Sequence, residues 1–348
     1  MASVSPQNEL ALSAGEAWPA NFGSVKDEYR ALRSTCGVYQ LLWRRKLKLT
    51  GSDRVRWLNG MVTNNIRDLA IGHGVYAFLL NPQGHILGDL LAFNRDEFLL
   101  VDTDASQLDR ILTTFDHYII MDDVEVANVS EQLAAIGLTG PDSDGVIKNA
   151  GFELPEVQPL QIVDLWWREI SLSVVRAENA SYPSYEIWVA PQHASKVREA
   201  LQRAGAVLTG SEALELYRIA QGIPRYGQDI RERDLPQETE QQRALNFNKG
   251  CYVGQEIVER IRSRGNVHRK FTGFEVSGPP PAPGTKIQVQ EKEVGEITSS
   301  ASIPAADRDQ TVALGYIRRE FGIRGKEILI GSSTGVVCEL PFADLLTR

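Results

Sequence analysis

Apolar residues recur along this chain at two spacings, and each spacing predicts its own kind of element. Three-and-four spacing occurs at 25–34, at Val55, Leu58, Met61 and Val62, at Leu108, Ile111, Leu112 and Phe115 within 105–120, at 194–204 before Gly205, and at 211–220. Each of these predicts a helix with one buried face. Ser52 or Asp53 caps the second, because a short oxygen-bearing side chain can accept a free N–H of the first turn. A further helix starts near Gly254, with Ile257, Val258 and Ile261 set among Glu256, Glu259, Arg260 and Arg262, and ends at Gly265. Alternating or continuous apolar runs predict strands at 41–49, 75–80, 85–93, 96–104, 124–129, 133–138, 165–176 and 182–189.

Two of those strands meet at Asn81-Pro82-Gln83-Gly84, which has the residues a type I turn favours at its first, second and fourth positions. Counting outward from Asn81 and Gly84 pairs Leu80 with His85, Leu79 with Ile86, Phe78 with Leu87, Ala77 with Gly88 and Tyr76 with Asp89. Opposed residues share a face, so a phenol and a carboxylate are expected to project together. Near the C-terminus, 277–284 is Pro- and Gly-rich and reads as a turn or linker in a new domain. Short strands come after it at 286–290, 294–300, 312–316, 328–330 and 336–340, a rhythm that suggests a small barrel. The fold class is therefore α+β: sheets with helices over 1–270, in two interwoven subdomains, then an antiparallel β-barrel over 271–348.

Composition narrows the function. A chain of 348 residues suggests two or three domains, and 43% apolar residues suffice for real cores. A net charge of -8 argues against a general nucleic-acid binder. Cys36, Cys251 and Cys338 are far apart and odd in number, which fits neither a disulfide framework nor a Cys-x-x-Cys metal site, and points to a reducing compartment. The first twenty residues show no basic-then-apolar signal, and no apolar run approaches the roughly 20 residues of a membrane span. A cytoplasmic monomer with no bound metal is expected.

Four places hold candidate chemistry. Cys251 precedes a helix N-terminus with Lys249 two residues away, which favours a thiolate able to act as nucleophile or ligand; a small buried hydrophobe is the competing reading. Asp89 is a carboxylate in an apolar strand, either solvent-facing or lining a pocket. Glu186 sits among aromatic residues, where a carboxylate can accept two N–H donors of an amino-pyrimidine edge or can simply face water. Arg260, Arg262, Arg264, Arg269 and Lys270 crowd one stretch; Arg264, Arg269 and Lys270 lack a local acidic partner and could receive an anion or form a solvated face.

Lys249-Gly250-Cys251-Tyr252-Val253-Gly254-Gln255-Glu256 resembles the signature of the YgfZ-type folate-binding proteins, relatives of the glycine-cleavage T-protein (aminomethyltransferase) that support iron–sulfur enzymes. Gly84-His85-Ile86-Leu87-Gly88-Asp89 resembles the T-protein's Gly-Gly-Ile-x-Asp-Asp, with Gly88 in place of the first aspartate. The resemblance implies that Asp89 lies against the folate as a catalytic group and that Tyr76 contacts the pteridine. Ser184-Tyr185-Glu186 is loosely similar to a segment ending in a folate-contacting glutamate. Arg218 and Tyr226-Gly227-Gln228-Asp229 resemble the T-protein's Arg-x7-Tyr-Gly-x-Asp, which implies a place for Arg218 in the cofactor site, while Leu214 replaces another arginine one turn earlier. Taken together, these similarities imply tetrahydrofolate or a one-carbon-substituted folate as cofactor, Cys251 as a functional thiol, and iron–sulfur enzymes or their assembly factors as partners. An aminomethyltransferase and a non-catalytic folate-sensing scaffold are the alternatives.

Overall fold

The computed structural model describes residues 18–178, 181–265, 267–305 and 308–346. Alternation along the strand Ile86–Asn94 sends Gly88, Leu90 and Ala92 to one face of a sheet and Asp89, Leu91 and Phe93 to the other. Both faces are covered, and the architecture reflects how.

The first sheet is antiparallel and has the order Gly74–Leu80, Ile86–Asn94, Leu99–Asp104, Arg44–Thr50, Glu125–Asn128. Helices Arg54–Met61 and Leu108–Tyr118 cover its outer face, burying Trp57, Leu58, Ile111 and Phe115 against Leu47, Leu49, Ala77, Leu79, Leu90 and Val101. The second sheet has the order Val207–Leu208, Gly37–Gln40, Ala134–Thr139, Ser184–Val189, Ile170–Arg176, Ile162–Trp167. Helices Ser143–Asn149 and Ala194–Arg203 cover its outer face. Chain segments alternate between the sheets, with Gly37–Gln40 in the second and Arg44–Thr50 in the first. The inner faces meet through Phe93, Leu100, Val129, Ala135, Ile162, Val175 and Trp188, and the Phe93 and Trp188 rings lie edge to face at 5.2 Å.

The third part is a closed six-stranded barrel, in the order Arg269–Ser277, Gln310–Arg318, Lys292–Ile303, Lys286–Val289, Glu327–Ile330, Ser333–Cys338. Its first strand straddles position 270, so the Pro-rich stretch 277–284 links two barrel strands. Helices Val25–Ser34 and Ser211–Ala220 pack on it through Tyr29, Leu32, Tyr217 and Ile219. Among the described residues no helix is long and apolar enough to cross a membrane.

Two expectations need correction. The single strand at 165–176 is a hairpin, Ile162–Trp167 with Ile170–Arg176. Its turn residues Arg168 and Glu169 both have positive φ, 47° and 68°, as a tight two-residue hairpin turn needs, and neither is a residue that announces one. The helix at 105–120 is a 3-10 turn, Ala105–Gln107, running into Leu108–Tyr118.

Candidate functional site

The Asn81–Gly84 turn closes as expected: Gly84 N donates to Asn81 O at 2.9 Å, and the Asn81 side chain accepts from His85 N at 2.9 Å. The register beyond it differs. Leu80 pairs with Ile86 and Leu79 with Gly88, which leaves Leu87 as an extra residue in a bulge. Tyr76 then pairs with Leu91 and Asp89 with Phe78, so Tyr76 and Asp89 are diagonal neighbours, not opposed ones. They still share a face, and the Tyr76 hydroxyl donates to Asp89 Oδ2 at 2.6 Å. Gln107 Nε2 donates to Asp89 Oδ1 at 2.7 Å while Gln107 Oε1 accepts from Asp89 N at 2.7 Å. Both carboxylate oxygens are thus fixed in direction. Burial and the adjacent Asp89 charge push the Tyr76 phenol far above its usual range, which keeps it a proton donor.

Gly88 makes room for that arrangement. A Cβ at position 88 would stand 2.9 Å from Gln107 Oε1.

Asp102 lies beside Leu91 on one side and Lys46 on the other, hence on the Asp89 face of the sheet. It is fully buried and is gripped by Arg44 through Nε at 3.1 Å and Nη2 at 3.0 Å, with Lys46 Nζ at 2.8 Å. Burial alone would raise its carboxyl, but the two cations outweigh burial and hold it below the usual range. Lys46 Nζ also sits 4.2 Å from the Trp188 ring centroid, and Trp188 Nε1 donates to Glu186 Oε2 at 2.9 Å. This chain of contacts places Glu186 of the second sheet opposite the polar face of the first. Arg44, Asp89 and Glu186 are all half-buried, at the accessible rim of the inter-sheet contact.

Arg243 stacks over the Tyr76 ring at 4.2 Å and pairs with Glu178 at 2.6 Å. Glu178 in turn borders a cavity of about 560 Å³ shared with Gln221, Glu240, Lys270, Phe271 and Leu340. Tyr76, Asp89 and Glu186 do not line that cavity; Arg243 touches both the Tyr76 ring and a residue of its wall.

The motif at 249–256 is built against the same hairpin. Gly254 has φ 81°, and a Cβ there would come within 2.5 Å of Asn81 O, so only glycine fits. Tyr252 and Val258 join the cluster of Tyr76, Phe78, Leu80 and Ile86. Gln255 Oε1 accepts from Tyr252 N at 3.3 Å, and Glu256 pairs with Arg260 at 2.7 Å. Gly250 and Cys251 are exposed between these fixed points.

Lys249 does not act as expected. Its ammonium is buried and donates to Asn59 O, Val62 O and Asn64 O at 2.5, 2.6 and 2.7 Å, the carbonyls at the end of helix Arg54–Met61 and the turn after it. It completes that helix terminus and leaves the Cys251 thiol without the neighbouring cation. Burial pushes Lys249 down to about 7. The helix starts at Gln255 with Gly254 as its cap, so Cys251 stands outside its first turn, where the dipole's effect has fallen away.

Arg218 is another correction. Its five N–H groups go to Glu215 twice, Ile223 O, Asp229 and Ser299, so none remains for a ligand. It braces the turn ending in Asp229, whose buried carboxylate also accepts from Arg225 N, Thr298 and Ser299 of the barrel. Of the basic stretch, Arg269 is paired with Asp234 and Glu238, and the Arg264 side chain lies outside the described residues. Arg44, Gln107 and Arg243 are site residues that sequence reasoning missed. Only Arg44 had a signal, a run of three cations, Arg44-Arg45-Lys46, inside a predicted strand.

The family described as "GCVT N-terminal domain" matches residues 11–249. The chain is 26% identical over 344 residues to an aminomethyltransferase of Halothermothrix orenii, covering 94% of each chain, and 27% identical over 306 residues to one of Bacillus cytotoxicus, covering 85% of this chain and 83% of the relative. Among solved structures, the glycine cleavage system aminomethyltransferase T from Bartonella henselae superposes with a TM-score of 0.84 at 21% identity, over 95% of this chain and 93% of that one. That likeness shows a shared fold, including the barrel. With a family match over more than half its length, this chain belongs to the GCVT family of the glycine-cleavage T-protein superfamily.

Proposed function

We propose that this protein binds a reduced folate, tetrahydrofolate or a one-carbon derivative, at the rim between the two sheets, and that as a YgfZ-type protein it uses the Cys251 thiol in the upkeep of iron–sulfur enzymes. The observation that carries the first half is Asp89, a carboxylate oriented on both oxygens by Tyr76 and Gln107 and facing the sheet that presents Glu186. The donor set suits the ligand. Glu186 keeps Oε1 without a protein partner among the described residues, and a carboxylate matches the adjacent N–H groups of a pterin's amino-pyrimidine edge. A bound folate would supply the amine that accepts or carries a one-carbon unit; Asp89 would orient that amine.

The second half rests on Cys251 being exposed in a segment anchored on both sides, by Lys249 before it and Tyr252 and Gly254 after it. In a strain lacking the protein, Cys251→Ser should fail to restore iron–sulfur enzyme activity while its purified product still binds folate. Full restoration by Cys251→Ser would end this role for the thiol.

The activity named for the relatives favours a second reading, aminomethyl transfer to folate. Gly88 speaks against it, since Gln107 occupies the space a side chain there would need. Formation of methylenetetrahydrofolate from an aminomethyl-loaded carrier protein would establish it; no turnover with the loaded carrier would dispose of it.

A further inference from the structure

Arg44 has a task left over once its structural contacts are counted. Its Nε donates to Asp102 Oδ1 at 3.1 Å and its Nη2 forms an ion pair with Asp102 Oδ2 at 3.0 Å. Asp102 is fully buried and also paired with Lys46, so the carboxylate that holds the guanidinium is itself fixed. The remaining nitrogen, Nη1, makes no hydrogen bond among the described residues, and the side chain keeps 20% of its surface exposed. Lys46, one pleat along on the same face, touches the Trp188 ring that fixes Glu186. Arg44 therefore stands beside the side chains that hold Glu186 in place. Burial works against the guanidinium charge, and Asp102, Glu186 and Asp89 together outweigh it.

The rim thus offers two unused groups of opposite character, the N–H donors of Arg44 Nη1 on one sheet and the acceptor Oε1 of Glu186 on the other. A ring with a lactam edge presents the complement: a carbonyl oxygen next to an N–H. We infer that Arg44 is a specificity-determining residue that donates to the ring carbonyl of the bound heterocycle, while Glu186 accepts from the N–H groups beside it. This rests on the folate reading above and adds what the site would distinguish, a 4-oxo pterin from its 4-amino counterpart. A site that donates to an oxygen leaves its donor unpaired when an amino group replaces that oxygen.

The test compares tetrahydrofolate with tetrahydroaminopterin, which differs by the 4-amino group, by calorimetric titration into the full chain and into Arg44→Met. The ratio of the two affinities should fall at least tenfold in Arg44→Met, through weaker binding of tetrahydrofolate. Arg44→Lys, which keeps a charge on Asp102 but loses the guanidinium's spare nitrogen, should fold as the parent does and show an intermediate ratio. A ratio unchanged in both variants overturns the inference, even if both affinities drop together, because that is what a merely structural role would produce. No saturable binding of either compound by the parent protein removes the folate reading and this inference with it.

Discussion

Position 88 decides how Asp89 is held. With no side chain there, the Gln107 carboxamide closes on both the backbone N–H and the carboxylate of Asp89. Gly88→Asp would push Gln107 away and set a carboxylate against Ile111 on the helix-covered face of the strand. The expected result is folate affinity at least tenfold lower with a loss of about 1–3 kcal/mol in stability, read by calorimetry and urea denaturation; unchanged affinity would show that Gln107 does not set the site. The apolar strand around Asp89 made that residue legible in the sequence. Gln107 and Arg243 were not, because nothing in a Gln beside a helix start or an Arg in a polar loop shows that folding brings them to Tyr76 and Asp89.

At the scale of elements, the hairpin and the 249–256 motif form one unit. The turn at Asn81–Gly84 seats on Gly254 and Ile257, and Lys249 ties the motif to the end of helix Arg54–Met61. Lys249→Met would leave three carbonyls unpaired, with a predicted destabilisation of about 2–4 kcal/mol in urea melts. Because the same loop carries Cys251, thiol reactivity toward a disulfide probe should rise as the loop loosens; a variant matching the parent in both stability and thiol reactivity would contradict the anchoring. The turn chemistry foretold this hairpin, but the bulge at Leu87 shifted the register beyond it. Bulges depend on what packs on the strand, here Tyr226, whose hydroxyl bonds Leu87 O at 2.7 Å across 139 residues of sequence. The turn at Arg168–Glu169 escaped for the opposite reason, since local residues gave no hint of its positive φ values.

The whole molecule is two sheets closed around the buried Asp102–Lys46 pair, with Arg44 at its rim, braced by the barrel through Arg218 and Asp229. The lowered carboxyl of Asp102 makes that closure pH-dependent. Its folded value lies below the unfolded one of about 3.9, so the folded state binds fewer protons. The stabilisation is fully present above that pH and is lost as pH falls through the folded value. Asp102→Asn should cost about 3–5 kcal/mol at pH 7, where it strands two cations, and the gap to the parent should narrow toward pH 2. A gap constant from pH 7 to pH 2 would refute the assignment. At this scale the α+β class and the barrel were readable from the rhythm of short strands. Which strand joins which sheet was not, because Gly37–Gln40 and Arg44–Thr50 are separated by three residues, yet join different sheets.

The function proposed for this protein turns on a folate site at Asp89, and a calorimetric titration of tetrahydrofolate under reducing conditions is its sharpest test. The parent protein should bind saturably, and Asp89→Asn, which keeps the shape but not the charge, should bind at least tenfold more weakly, about 1.4 kcal/mol. Equal affinity in the two proteins, or no binding by the parent, would contradict the assignment of the site.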